Sequence, residues 1–424
     1  MQKELSAFRL TEELSLNVKQ FYASFGAMQT HNALTARVMQ TSFALTAEEL
    51  LLTVYNNLKQ GAYKMVTLTE KESENVFFDS LISQATLFPA MESRDAVKLA
   101  FQEAFGGEHL VSDPKASEER IQSEIGSFEE VSGKQAFSYV GKHTARLSLD
   151  SPIVRGLPAE MINRLFLASA ELTDKLYGKR EEREARFKSY LDICEKAAEN
   201  NLVPFSKEDF LSFKNEYLQN GLHPVSHSDT YRSTYKPSYR VISSAFVPLF
   251  PAIVRINELL KEDKKCITAG IDGRAASGKT TAAQLLSAVF DSEIIHMDDF
   301  FLPLNLRTPE RFAEKGGNIH YERFLQEVVP NLSKEDAFTY RVFDCSRMDY
   351  GESRTILSAS QKPLRIVEGT YSHHPLYNNI YDVKIMMSIS PETQKQRILR
   401  RNGEKMWTMF RDRWIPLEEN YFKK

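Results

Sequence analysis

Cysteine is scarce in this chain. Its 424 residues hold three, Cys194, Cys266 and Cys345, an odd and scattered set that offers neither a disulfide framework nor CxxC metal spacing. A reducing, cytoplasmic setting is therefore expected. Long hydrophobic runs are missing too: no stretch reaches the roughly 18 apolar residues of a membrane span, and the opening MQKELSAFRLTEEL is acidic where a secretory core would be apolar. Neither export nor a membrane partner is expected. Nor is there a strong charge of one sign, since 54 Lys+Arg face 57 Asp+Glu for a net charge of -3. Residues 1–240 carry 28 basic and 33 acidic side chains, and the remainder 26 and 24. That mildly positive second half suits a phosphate ligand but falls well short of a nucleic-acid binder. Fixed-period repeats and low-complexity segments are absent.

With 42% hydrophobic and 26% charged residues, the chain can fill cores and cover them. Its length predicts two domains. Residues 1–220 read as mainly helical, with apolar residues at three- and four-residue spacing through Phe43–Leu58 and Met161–Leu176. Asp113 and Ser206 supply helix-start chemistry. Residues 221–241, with two prolines and a cluster of tyrosines, histidines and arginines, read as an ordered connector. A sharper alternative is that Arg232, Tyr235 and Arg240 reach a ligand. From residue 242 to 424 the pattern changes to apolar strands, Cys266–Ile271, Glu293–His296, Phe338–Phe343, Leu364–Val367 and Val383–Ile389, separated by helical segments. Such alternation predicts a doubly wound α/β domain with a mostly parallel sheet.

The strongest signal is GRAASGKT, Gly273–Thr280, which matches G-x-x-x-x-G-K-[ST] between the strand CITAGI and the helical TAAQLLSAVF. A phosphate chain is best held by converging backbone amides at a helix N-terminus, which donate without steric bulk. Gly273, Ala276, Ser277 and Gly278 form that cradle, Lys279 reaches the terminal phosphates, Thr280 ligates Mg²⁺ and Thr281 adds a hydroxyl. Downstream, HMDDFF places two carboxylates at a strand end, the edge at which open α/β sheets bind ligands. Asp298 is the expected general base toward an acceptor hydroxyl, with Asp299 the alternative. Glu368, after the strand LRIV, is expected to partner Mg²⁺, with Asp298 alongside. Arg397, Arg400 and Arg401 share one helix face and are expected to act as a cationic lid. His296, His373 and His374 show no transition-metal spacing.

GRAASGKTT, HMDDFFLP, RTPERFAEKGGNIHYERF, RIVEGTYSHHP and RRNGEKMWTMFRDRWIPLEENYF, in this order, resemble the uridine kinase-like branch of P-loop kinases, relatives of phosphoribulokinase and pantothenate kinase. The resemblance spans about Ile271–Phe422. It implies an ATP- and Mg²⁺-dependent transfer of a phosphoryl group to a small-molecule hydroxyl, with Asp298 as base, Glu368 as magnesium partner and Arg397 to Arg401 in a mobile lid. It also implies that His320, Tyr321, Tyr340, Asp344 and Arg347 line the acceptor pocket. There the sequence departs, because nucleoside kinases of this group place an Asp near His320 and a His near Cys345. An imidazole and a thiol cannot reproduce a carboxylate's bidentate grip on a vicinal diol, which argues against uridine. A second reading is an ATP-binding sensor with little chemistry. The helical half can regulate, form a homo-oligomer or complete the acceptor pocket, and the sequence leaves these open.

Overall fold

The computed structural model describes residues 62–65, 70–107, 113–128, 135–262 and 264–423. The periodic segment Phe43–Leu58 lies outside them. In chain order the principal elements are β1 (Ala62–Met65), α1 (Glu70–Leu87), α2 (Ser93–Phe105), α3 (Pro114–Gly126), β2 (Phe137–Tyr139), β3 (Thr144–Ser148) and α4 (Ala159–Glu171). There follow α5 (Arg180–Glu199), α6 (Lys207–Gln219), α7 (Asp229–Tyr235), β4 (Tyr239–Ser243), α8 (Phe250–Lys261), β5 (Ile267–Gly273), α9 (Lys279–Val289) and β6 (Ser292–His296). The chain continues through α10 (Tyr321–Glu327), β7 (Phe338–Asp344), β8 (Asp349–Ile356), β9 (Leu364–Glu368), β10 (Val383–Met387), α11 (Pro391–Met409) and α12 (Ile415–Phe422). Among the described residues no helix is long and apolar enough to cross a membrane.

The expected helix starts form for the expected reason. Asp113 accepts from the amides of Lys115 and Ala116, with Pro114 in the first turn of α3, and Ser206 accepts from Asp209 N at the head of α6. Ser390 and Pro391 open α11 in the same way.

β1, β10, β5, β9 and β6 form, in that order, one wholly parallel sheet. β5 and β9 are buried along their whole length, as strands covered on both faces must be. One covering layer packs α4, α8 and α9 against Ile267, Ala269, Ile271 and Ile366; the other gathers Ile295, Met297, Phe300, Phe324 and Val367. This is an α/β P-loop domain.

One expectation needs correcting. Phe338–Phe343 does form a strand, but β7 pairs antiparallel with β8 in a separate hairpin. Its burial alternates because only one face meets protein. At the end of 221–241, β4 pairs with β3, and α4 shares a core with α9. Residues 61–424 form one compact unit, with β1 supplying an edge of the phosphate-loop sheet. The connector's side chains serve the fold, as its reading as an ordered connector has it. Arg240 pairs with Glu124 at 2.8 Å, Tyr235 Oη accepts from Ala90 N at 2.8 Å, and Arg232 pairs with Asp229.

Candidate functional site

β5 delivers the chain to the loop at Gly273, whose φ of 150° and tight surroundings exclude a side chain; a Cβ would lie 2.2 Å from Met387 O. Ala276 (φ 58°) and Gly278 (φ 99°) turn the chain so that α9 begins at Lys279. Lys279 folds back over the loop, donating to Gly273 O at 2.8 Å, Arg274 O at 2.9 Å and Thr370 Oγ1 at 3.2 Å. Ser277 is buried and its hydroxyl has no partner among the described residues. A buried orphan hydroxyl inside a ring of amides fits an anionic oxygen. Thr281 follows, half-buried, in the first turn of α9.

At the mouth of the loop, Thr280 Oγ1 donates to Glu368 Oε1 at 3.1 Å, and His296 Nδ1 lies 2.6 Å from the same oxygen. Register explains the meeting, since His296 and Glu368 are paired residues at the ends of β6 and β9. Asp298 sits one turn beyond β6, in a short 3-10 segment, Met297–Phe300. Its side chain is crowded by protein yet open to solvent through the cleft, and it makes no side-chain hydrogen bond among the described residues. Desolvation pushes its pKa above the usual carboxylate value, Glu368 and Asp299 push the same way, and the charges of Lys279 and His296 pull it back. Asp299 is committed elsewhere: it accepts from Tyr340 Oη at 2.7 Å, while its carbonyl accepts from Arg323.

Thr280, Glu368 and Asp298 are hard oxygen donors suited to Mg²⁺ rather than to a softer metal. No group of three or more His, Cys, Asp or Glu side chains among the described residues could hold a metal by itself. An ion here would depend on phosphate oxygens for the rest of its shell, as Mg²⁺ commonly does.

The nominated acceptor residues divide. Asp299 and Tyr340 meet as described, and His320 joins them through its amide, which donates to Phe300 O at 2.6 Å, and its ring, which contacts Tyr350 Oη. Arg323 locks this side, its guanidinium 4.4 Å from the Phe300 ring centre and 4.5 Å from that of Tyr350. Tyr321 turns to a different group, donating to Glu314 at 2.6 Å beneath Arg311 and beside His374. Asp344 caps the β7–β8 turn through Ser346 N at 2.8 Å and Ser346 Oγ at 2.6 Å, and Arg347 is exposed on that turn. Cys345, between Asp344 and Arg347 on that turn, feels the charges of Asp298 and Asp299.

The arginine face also divides. Arg397 reaches the loop, donating to Ala276 O at 2.9 Å, whereas Arg401 bonds Asn402 and Arg400 is exposed. Gly403, with φ 75°, breaks α11 just beyond them.

Sequence reasoning missed Asp272, which is fully buried and accepts from Gly273 N, Tyr371 N, His373 N and Tyr421 Oη at 2.6 to 3.1 Å. It also missed Gln394 and Glu418, which reach the loop at Ala275 from α11 and α12. An acid immediately before the first loop glycine, inside an otherwise apolar strand, was the available signal for Asp272.

No family model matches this chain, and no curated protein does. Among solved structures it is similar to a candidate uridine kinase from Bacillus stearothermophilus, at 21% identity and a TM-score of 0.28, over 38% of this chain and 94% of that one. It is also similar to a candidate fructose transport system kinase from Silicibacter sp. TM1040, at 20% identity and a TM-score of 0.32, over 37% and 84% of the two chains. At these scores neither likeness bears on activity.

Proposed function

We propose that this protein is an ATP- and Mg²⁺-dependent kinase that transfers the terminal phosphoryl group to a hydroxyl of a small metabolite. The observation that carries the reading is the convergence of Lys279, Thr280, Glu368 and Asp298 on one mouth of the parallel sheet. Loop amides and Lys279 hold the phosphate chain, a task for fixed dipoles and a point charge. Thr280 and Glu368 would hold Mg²⁺, which would neutralise charge on the phosphates. Asp298, uncommitted and next to the charge of Lys279, accepts the proton of the acceptor hydroxyl as its oxygen attacks phosphorus. Asp299, Tyr340 and His320 form the wall against which the acceptor is oriented. Arg397 supports the loop through Ala276 O.

The test is ADP release by the purified protein against nucleosides, sugars, pantothenate-like alcohols and vitamins. Turnover with one class, abolished in Lys279→Ala and reduced about 100- to 10,000-fold in Asp298→Asn, is expected of a lost base. Full activity in folded Asp298→Asn would remove the assigned base. Tight ATP binding without any phosphorylated product would favour the sensor reading.

A further inference from the structure

Four consecutive loop carbonyls are held from outside by side chains. Lys279 takes those of Gly273 and Arg274, Gln394 Nε2 takes that of Ala275 at 3.2 Å, and Arg397 takes that of Ala276. With the carbonyls so engaged, the loop's amides are left for an anion, yet two already have anionic partners, Gly273 N in Asp272 and Ala275 N in Glu418. Ala275 N donates to both carboxylate oxygens of Glu418, at 3.1 and 3.2 Å, and Gln394 Nε2 reaches Glu418 Oε2 at 3.3 Å. Glu418 is only 4% exposed.

Its helix is firmly attached. Arg274 pairs with Glu419 at 2.8 Å and lies 4.9 Å from the Phe422 ring centre, and Tyr421 Oη donates to the buried Asp272 at 2.7 Å. The placement of Glu418 is therefore determined by several independent contacts on either side of it. The loop carries a carboxylate of the chain's own, beside the lysine that phosphates need.

We propose that Glu418 is a positioning residue of the phosphate loop whose negative charge a bound phosphate chain has to share the loop with, so that nucleotide binding takes up a proton at Glu418. The proposal rests on the nucleotide reading above. A second anion in the same desolvated loop makes ionised Glu418 more costly, and Lys279, drawn to the phosphates, compensates it less. The groups facing Glu418 are Lys279 from α9, Arg274 from the loop, Tyr371 from the segment after β9 and neutral Gln394 from α11, with Glu419 and Tyr421 on its own helix. Burial already pushes its pKa up to about 7, against the pull of Lys279, so its ionisation is poised near neutrality.

The experiment is ADP binding by calorimetry at pH 7 in buffers of different ionisation enthalpy, for the unsubstituted chain and Glu418→Gln. Gln keeps an acceptor for Ala275 N and removes the charge, and the difference between the two proteins cancels ionisation of ADP itself. The unsubstituted chain is expected to take up on the order of half a proton more per ADP, and to lose affinity about three- to tenfold more than the variant between pH 6 and 8. Equal proton counts overturn the inference and leave the nucleotide reading intact; failure of the unsubstituted chain to bind ADP overturns both. Should Glu418→Gln not fold, Glu418→Ala takes its place in the same difference measurement, a higher proton uptake by the unsubstituted chain supporting the inference and equal counts overturning it.

Discussion

His296 Nδ1 lies 2.6 Å from Glu368 Oε1, across the paired ends of two parallel strands, and that same oxygen accepts from Thr280. The hydrogen bond to Glu368 is the largest cause of a raised His296 pKa, outweighing burial. An imidazole in this position orients the carboxylate rather than binding a metal itself. His296→Ala should therefore weaken the apparent Mg²⁺ affinity, raising the Mg²⁺ midpoint by about 10- to 100-fold, while leaving nucleotide affinity in EDTA nearly unchanged. A Mg²⁺ titration of initial rate and of ADP affinity reads both. An unchanged Mg²⁺ midpoint would detach His296 from the metal.

Asp298 sets the expected pH profile. Because desolvation raises its pKa, the protonated, inactive form persists above the usual aspartate range near 3.9, and kcat/KM should rise with pH through the raised value. The acid limb belongs to the free protein, so it should appear in kcat/KM and vanish from the residual rate of Asp298→Asn. An acid limb that survives the substitution unchanged would assign the titration to another group.

These two residues also show how far the sequence could be read. The place of Asp298 at a strand end next to the phosphate loop is legible in the sequence, whereas the bond that occupies Asp299 comes from Tyr340, 41 positions away. β7 has the composition of a core strand, but its alternating burial marks a hairpin with one covered face, and β8, rich in charge, gave no apolar run at all. β1 and β3 escaped because strands of four and five residues carry little periodicity. Glu418 and Gln394 were illegible for a different reason: each lies on a helix, and only the docking of α11 and α12 brings them to Ala275. The even arginine spacing on α11 predicted a shared face correctly as helix geometry, yet one turn suffices to separate Arg397, on the loop, from exposed Arg401.

Glu103 should give the fold an alkaline weakness. It is fully buried against Gly141, where a Cβ would lie 2.4 Å from its carboxyl carbon, and burial pushes its pKa to about 8 despite donation from the amides of His143 and Thr144. The folded chain thus binds a proton that the unfolded chain has released above its ordinary value near 4.5. This contribution to stability is complete below that value and is lost as pH rises toward 8. His143 and His227, lowered to about 3 and about 4, act with opposite sign, but below pH 6.5. Lys98, lowered to about 8, gains stability as pH rises through that value and so offsets a smaller part of the loss. Urea unfolding should show a loss of about 1 kcal/mol from pH 7 to 8, with a smaller loss in Glu103→Gln. Equal slopes in the two proteins would rule out Glu103 as the source.

Arg365 is the fold's most exacting buried cation. It has no exposed surface, and its guanidinium donates to five main-chain carbonyls, those of Asn331, Leu332, Lys334, Asp336 and Leu357, at 2.5 to 3.2 Å, rather than to a carboxylate. The Phe338 ring centre lies 5.2 Å from it. Those carbonyls belong to the segment before β7 and the one after β8, so a single side chain on β9 fastens both ends of the hairpin that carries Tyr340 to Asp299. Arg365→Leu fills the space but leaves several carbonyls unpaired, and should cost about 3 kcal/mol or more in urea unfolding. Arg365→Lys keeps the charge but has three donors and no planar fork, so it should recover only part of the loss. Because the hairpin holds Asp299 and the acceptor wall while the phosphate loop is anchored independently through Asp272, the Lys variant should raise KM for the acceptor and leave ADP affinity unaltered. A parallel loss of ADP affinity would show that the two halves of the cleft are not independently held.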